Sequence, residues 1–204
     1  MTIQILYKNK DNSNNLVLFV DESFNISGLK KYLSSGEFFY ISDLLKNSDL
    51  KKNLLFFHIN SKKTIFLVSI KKNMQTSDME NLGAEFHGYV NNNKKSEYTL
   101  SSDSVNSKFE NFIGHFLHGL KLKSYEFNIY KSKKVTKLIS INVIGKKNKY
   151  TIKNELRFKA IEKGTFFARD LVSEPPNVLN PKEYVNRLLK LRKLGIKVTA
   201  YNEV

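Results

Sequence analysis

Over the first 75 residues apolar positions come in short, nearly continuous runs, and beyond them they recur at helical spacing. Ile3-Gln4-Ile5-Leu6-Tyr7 and Leu16-Val17-Leu18-Phe19-Val20 predict strands. The turn-rich Asp11-Asn12-Ser13-Asn14-Asn15 between them predicts a hairpin-like or nearby pair. Leu54 to Ile59 and Thr64 to Ile70 predict two more strands, and runs this apolar are usually covered on both faces, as in an α/β sheet. Before them, Ile41-Ser42-Asp43-Leu44-Leu45 predicts the opening of a short helix capped by Ser42 or Asp43.

Helical stripes follow. Met79, Leu82, Phe86, Tyr89 and Val90 place a helix over 78–90, ended by Asn91-Asn92-Asn93. A short strand near Tyr98 precedes the clearest helix, about Ser107 to Lys123, where Phe109, Phe112, Ile113, Phe116, Leu117 and Leu120 share one face. Val135 to Ile144 returns to strand. A long helix from about Asn154 stops at Ser173, because Pro175 and Pro176 cannot continue its hydrogen-bond ladder. Asn180 then caps a new helix, with Pro181 at its first position and Glu183 placed to complete a capping box. Gly195 stops that helix, and Ile196 to Tyr201 predicts a strand. All three prolines lie within 175–181 and all four arginines from 157 onward, so a domain boundary is expected near residue 150.

Composition sharpens this. With 41% hydrophobic and 12% aromatic residues the chain can bury a core, which excludes a disordered tail. Its apolar runs are too short to span a bilayer, and Met1-Thr2-Ile3-Gln4-Ile5 has no basic segment before a long apolar one, so no signal peptide is expected. No cysteine is present, which excludes disulfides and thiolate metal sites; a cytoplasmic location is the simplest expectation. The net charge of +15 points towards nucleic acid, but 30 of the 34 basic residues are lysine, the profile of an AT-rich coding bias. The lysines also fall as scattered loop pairs (Lys30-Lys31, Lys51-Lys52, Lys62-Lys63, Lys71-Lys72, Lys94-Lys95), which reads as a solvated surface.

The chemistry-bearing residues form no self-contained site. His115 and His118 stand three apart on the major helix, flanking its apolar stripe with only Glu110 as a nearby carboxylate. Such a pair is expected to be a boundary or surface feature rather than a shared metal site. His58 and His87 have nothing in sequence to join them. The nine glycines are never closer than five residues, so no phosphate-cradling loop exists, which also argues against an ADP-ribose pocket. Gly164, inside a helix, is expected to pack closely against a neighbour. No G-x-S-x-G occurs and the 19 acidic residues are thinly spread.

Ala168-Arg169-Asp170-Leu171-Val172-Ser173-Glu174-Pro175-Pro176-Asn177-Val178-Leu179-Asn180-Pro181-Lys182-Glu183-Tyr184 closely resembles the interdomain signature of leucyl (cytosol-type) aminopeptidases, roughly A-R-D-L-x-N-E-P-x-N-x-x-T-P. Ser173 stands where Asn is usual. Asn180 replaces Thr or Ser but keeps the capping chemistry. Gly119-Leu120-Lys121-Leu122-Lys123-Ser124-Tyr125-Glu126-Phe127-Asn128-Ile129-Tyr130-Lys131 is similar to the family's G-x-x-L-x-S-Y-x-F-x-x-Y-K stretch, and Leu194-Gly195-Ile196-Lys197-Val198 to its following helix-to-strand step. The resemblance runs from about residue 40 to the end and is specific after 119.

The resemblance implies an α/β fold. Residues 1–150 would form the N-terminal domain, a macro-domain-like mixed sheet flanked by helices. Residues 151–177 would form a linker helix, and 178–204 the first helix and strand of a second α/β domain, the metallopeptidase catalytic domain, truncated here. It further implies a homohexameric exopeptidase that removes N-terminal residues from peptides with two divalent metal ions, manganese or zinc among them. The family's catalytic and metal motifs, D-T-G-G and N-T-D-A-E-G-R, do not occur in this chain. No catalytic, cofactor-binding or metal-ligating residue is therefore assigned, no metal is expected on this chain, and the segment is expected to be inactive alone and to support oligomer assembly and active-site access. The alternative is a basic DNA-binding or regulatory module of such an enzyme.

Overall fold

A computed structural model describes residues 2–10, 14–105, 109, 111–132, 137–146 and 149–201, with backbone only for 149–153. The chain divides into two compact units, Met1–Glu162 and Lys163–Val204.

The first unit is built on a six-stranded mixed sheet of β1 (Thr2–Tyr7), β2 (Asn15–Asp21), β3 (Leu54–His58), β4 (Thr64–Ile70), β5 (Glu97–Ser101) and β6 (Leu138–Ile144). Their spatial order is β1-β6-β5-β2-β4-β3. All neighbouring pairs run parallel except β3 and β4, which pair antiparallel with Phe56 opposite Phe66. Side chains alternate between the faces along each strand. Val17 and Phe19 of β2 and Phe66, Val68 and Ile70 of β4 enter one core, while Leu18, Val20, Ile65 and Leu67 enter another. That is why β4 is buried along its whole length and why its residues are apolar except Thr64 and Ser69.

The helices α1 (Ser35–Lys46), α2 (Thr76–Asn92) and α3 (Phe112–Lys123) cover these faces. α1 contributes Ile41 to the core holding Leu18; α2 and α3 cover the face holding Phe19, through Leu82, Phe86, Phe116 and Leu120. Phe19 meets Phe112 and Phe116 edge-on, each at 5.3 Å between ring centres. α2 and α3 lie in backbone contact: a Cβ on Gly83 would sit 1.8 Å from the Phe116 carbonyl oxygen, and one on Gly119 1.8 Å from that of Glu80.

Several expectations change. β1 and β2 form no hairpin: β1 is an edge strand bonded to β6, and β6 and β5 separate it from β2. The strands run parallel, which a hairpin turn cannot achieve; Asp11, Asn12 and Ser13 of the expected turn lie outside the described residues. β3 is an edge strand with Phe56 and His58 exposed, so it is not covered on both faces. α1 starts at Ser35 rather than near Ile41. Its cap is Ser34, whose hydroxyl accepts from the Glu37 N–H at 3.3 Å while the Glu37 carboxylate accepts from the Ser34 N–H at 3.0 Å. Ser42 and Asp43 lie in the later turns, with Asp43 paired to Lys46. Ser107, Lys108 and Glu110 of the third expected helix, and Val135 and Thr136 of the last expected strand, also lie outside the described residues.

Many lysines act structurally. Lys63 pairs with Glu37, Lys121 donates to the Ile3 carbonyl, and Lys137 gathers the Val90, Asn91 and Asn93 carbonyls at the end of α2.

α4 (Lys149–Ser173) runs from the first unit into the second and stops before the two prolines, as their ring geometry requires. In the second unit α5 (Pro181–Leu189) is capped by the Asn180 side chain, which accepts from the Glu183 N–H at 3.0 Å. The capping box is only half formed, because Glu183 turns to Arg187 at 3.1 Å. Arg187 also reaches Glu174 at 3.0 Å, tying the proline turn to α5. A 3-10 turn, Lys190–Leu194, ends at Gly195 with φ +80°, the left-handed stop expected of glycine. Residues 196–201 form no strand. Strands exist only by pairing, and the second unit has no strand among its described residues; the Val198 carbonyl is taken by Arg192 instead. Gly164 does not pack closely: nothing lies within 4 Å of where its Cβ would be, so that reading is corrected.

Candidate functional site

The four histidines are held apart. His115 Nδ1 lies 3.2 Å from a Glu80 carboxylate oxygen on α2, and its ring stands edge-on to Phe158 of α4. His118 is buried and lies against the same Phe158 ring, 4.9 Å between centres. Burial pushes the His118 pKa below its ordinary value, although Glu80 and Glu162 act in the opposite sense. His118 thus serves as a neutral packing residue, while His115 makes a polar contact to Glu80. His87 is also buried, with its pKa lowered first by burial and then by Lys123. His58 lies exposed on β3, its Nδ1 3.0 Å from the Thr64 hydroxyl. Among the described residues no three of His, Cys, Asp and Glu converge as a metal site.

A concavity lies where β2 and β5 end. These strands are parallel neighbours, yet the chain leaving β2 turns to the α1 face and the chain leaving β5 proceeds to α3 on the other face. Loops diverging from adjacent strand ends open a crevice at the carboxyl edge of the sheet, the usual place for ligands in parallel α/β folds. The cavity measures about 350 Å³. Phe19, Leu29 and Val105, all buried, form its apolar lining, and Asp21, Lys31 and Asp103 supply charge. The two strand ends are pinned together by Ser104, whose hydroxyl accepts from the Phe19 N–H at 3.0 Å and donates to the Ser101 carbonyl at 2.7 Å. Asp21 Oδ1 accepts from the Ser23 N–H, the Ser23 hydroxyl and the Asn25 N–H. Partial burial tends to raise the Asp21 pKa, but these bonds and Lys72 outweigh it and hold the carboxyl below its ordinary value. None of these residues was singled out from sequence, because strand order alone reveals that Asp21 and Asp103 follow neighbouring strands.

No family model matches the chain. Curated relatives do. A "Probable cytosol aminopeptidase" of Agrobacterium fabrum is 37% identical over 94 residues, 43% of this chain and 19% of the relative. One of Rhizobium rhizogenes bearing the same name is 29% identical over 140 residues, 65% of this chain and 28% of the relative. Among solved structures, a mutant of tomato leucine aminopeptidase superimposes with TM-score 0.71 at 16% identity, covering 95% of this chain and 42% of that one. A cytosol aminopeptidase from Coxiella burnetii gives 0.62 at 14% identity, covering 93% and 37%. The chain is similar, in sequence and in fold, to the N-terminal part of the cytosol aminopeptidases. It spans about a fifth of the length of the first curated relative and about two fifths of the tomato leucine aminopeptidase chain.

Against that background the signature segment can be placed. Ala168–Ser173 forms the last turns of α4, Glu174–Leu179 the proline turn, and Asn180–Tyr184 the capped start of α5. Among the described residues no helix is long and apolar enough to cross a membrane. A further neighbour of the cytosol aminopeptidase-like fold, the bottromycin maturation enzyme BotP, is described in complex with Mn (TM-score 0.62, 12% identity, 90% of this chain and 37% of that one).

Proposed function

We propose that this chain is the N-terminal part of a leucyl aminopeptidase, a cytoplasmic exopeptidase releasing N-terminal amino acids from peptides. Within it, residues 1–150 form the N-terminal domain, 151–177 the linker and 178–204 the opening of the catalytic domain. The segment performs no chemistry itself; it supports hexamer assembly and access to the active site.

The observation that carries this reading is the second unit. It holds the aminopeptidase-like signature, yet none of its described residues is buried. Val172, Leu194 and Tyr201 are 87%, 75% and 90% exposed. A unit with apolar residues and no core of its own is one built to be covered. The cytosol aminopeptidases have most of their length beyond the part matched here, and that remainder is the natural cover. The two metals of the family do not fit the residues present, since the described His, Asp and Glu side chains form no cluster that could hold one. No step is therefore derived through a metal on this chain.

Two measurements test the reading. The 204-residue chain should turn over no leucine anilide with manganese supplied; measurable turnover overturns the non-catalytic role. Amides over 178–201 should exchange with solvent far faster than those of β2 and β4; equal protection would show that this part needs no cover.

A further inference from the structure

The cavity at the ends of β2 and β5 carries both signs of charge over an apolar lining, and nothing in the peptidase reading uses it. Its volume of about 350 Å³ stands at the lower end of small-molecule pockets, which span roughly 300–1,000 Å³. Two carboxylates against one ammonium disfavour a phosphate. The approach also lacks the run of glycines from which a backbone anion nest is built: Gly28 is the one glycine in the lining. A neutral apolar molecule would leave the charges of the lining unmatched by the ligand. The remaining chemistry is a compact zwitterion with an aliphatic tail.

We propose that this cavity binds a free α-amino acid with an apolar side chain. Its ammonium faces Asp21 and Asp103, its carboxylate faces Lys31, and its tail rests on Leu29 and Val105. The two carboxylates have support in the geometry, and Lys31, whose Nζ lies 4.9 Å from the centre of the Tyr32 ring, also lines the cavity. The three hydrogen bonds that Asp21 accepts from Ser23 and Asn25 all go to Oδ1, so Oδ2 stands outside that set. The Asp103 Oδ1 accepts from the Lys146 N–H at 2.8 Å, which anchors that carboxylate to the chain after β6. Ser104 fixes the separation of the two strand ends through its buried bonds to Phe19 and Ser101. The two carboxylates therefore stand on a braced frame, which favours recognition of a small ligand. The site regulates or senses amino acid and takes no part in bond cleavage, and it stands whether or not the parent protein hydrolyses peptides.

Gly28 provides the decisive variant. It lines the cavity, its φ is ordinary, and a Cβ there would meet nothing within 4 Å, so a larger side chain can be placed at the cavity wall without a clash at its Cβ. Calorimetric titration of the 204-residue chain with L-leucine should give saturable one-to-one heat. Leucinamide, which lacks the carboxylate, and 4-methylpentanoate, which lacks the amine, should each bind about fivefold more weakly, the factor for an ion pair worth about 1 kcal/mol. Gly28→Phe should abolish the heat while leaving the unfolding midpoint unchanged, and Lys31→Glu should weaken leucine without weakening leucinamide. The proposal is overturned by an absence of saturable heat up to roughly 10 mM leucine, an affinity too weak to matter. Leucine binding that survives Gly28→Phe, or tight binding of ADP-ribose in its place, overturns it equally.

Discussion

Alanine substitution of the glycines of α2 and α3 tests the packing account, because one chemical change should act with opposite signs at three positions. At Gly119 the added Cβ would lie 1.8 Å from the Glu80 carbonyl oxygen and 2.5 Å from its carbon; at Gly83 it would lie 1.8 Å from the Phe116 oxygen. A tolerable carbon–oxygen contact is about 3.3–3.6 Å, so the helices must part by roughly 1.5 Å. Both obstacles are backbone, which cannot rotate away. Parting them loosens Phe86 and Phe116, whose rings are 5.8 Å apart, and a gap near 1 Å already forfeits up to about half of a dispersion contact. Overpacking of this kind costs about 1–3 kcal/mol or more, and the helix-propensity gain of about 1 kcal/mol offsets only part. Gly88, on the same α2, has nothing within 4 Å of its Cβ position and should simply collect the propensity gain. Gly119→Ala is therefore expected to lose about 2 kcal/mol net, lowering the thermal midpoint by roughly 4–8 °C, and Gly88→Ala to raise it by roughly 2–4 °C. The double variant Gly83→Ala/Gly119→Ala should cost less than its two parts combined, because one separation relieves both clashes. Thermal unfolding followed by near-ultraviolet dichroism reads all four. If Gly88→Ala and Gly119→Ala shift the midpoint in the same direction, the backbone-contact argument is wrong.

Two further outcomes follow from single side chains. Lys137→Met removes the ammonium that gathers the Val90, Asn91 and Asn93 carbonyls and should cost about 2 kcal/mol in urea unfolding, the scale of a charged hydrogen bond; an unchanged midpoint would reduce it to a surface lysine. His118 has its folded-state pKa lowered from 6.5, chiefly by burial, against the opposing charges of Glu80 and Glu162. The sign follows from linkage: stability is complete above the unfolded value and is lost as pH falls below about 6.5 towards the lowered folded value, by up to about 1.4 kcal/mol per pH unit. His118→Gln should flatten the part of that slope that His118 contributes, leaving the part due to His87, and an identical profile in the variant would remove His118 as its source.

What the residues revealed in advance divides by the range of the interaction. β4 was legible because burial on both faces leaves a nearly continuous apolar run, and the stops at Ser173 and Gly195 were legible because proline and glycine act on their own backbone. α1 was misplaced because its single buried residue, Ile41, leaves almost no stripe, and the cap at Ser34 precedes a Gly and two Phe rather than a clean periodic pattern. Strand order was out of reach: β1 finds β6 across most of the domain, and nothing local in Ile3–Tyr7 names that partner. Gly83 and Gly119 carry no local signal, and their meaning appears only when both helices are present. The cavity was hidden for the same reason, since Asp21 and Asp103 become neighbours only through the β2–β5 pairing.

The second unit shows the converse, in which local signals are strong and none of the described residues is buried. Asn180, Pro181 and Gly195 specify a helix start and stop from within a few residues, and Arg187 ties Glu174 and Glu183 together. Such devices are worth about 0.5–2 kcal/mol each, whereas ordering a residue costs about 1–2 kcal/mol of backbone entropy. With none of its described residues buried, the unit has no hydrophobic term large enough to offset that cost. On the proposed reading, caps without a core are what a unit completed by other residues would carry. Those residues are then the catalytic domain of the aminopeptidase, and covering Val172, Leu194 and Tyr201 should raise the protection of α5 against hydrogen exchange.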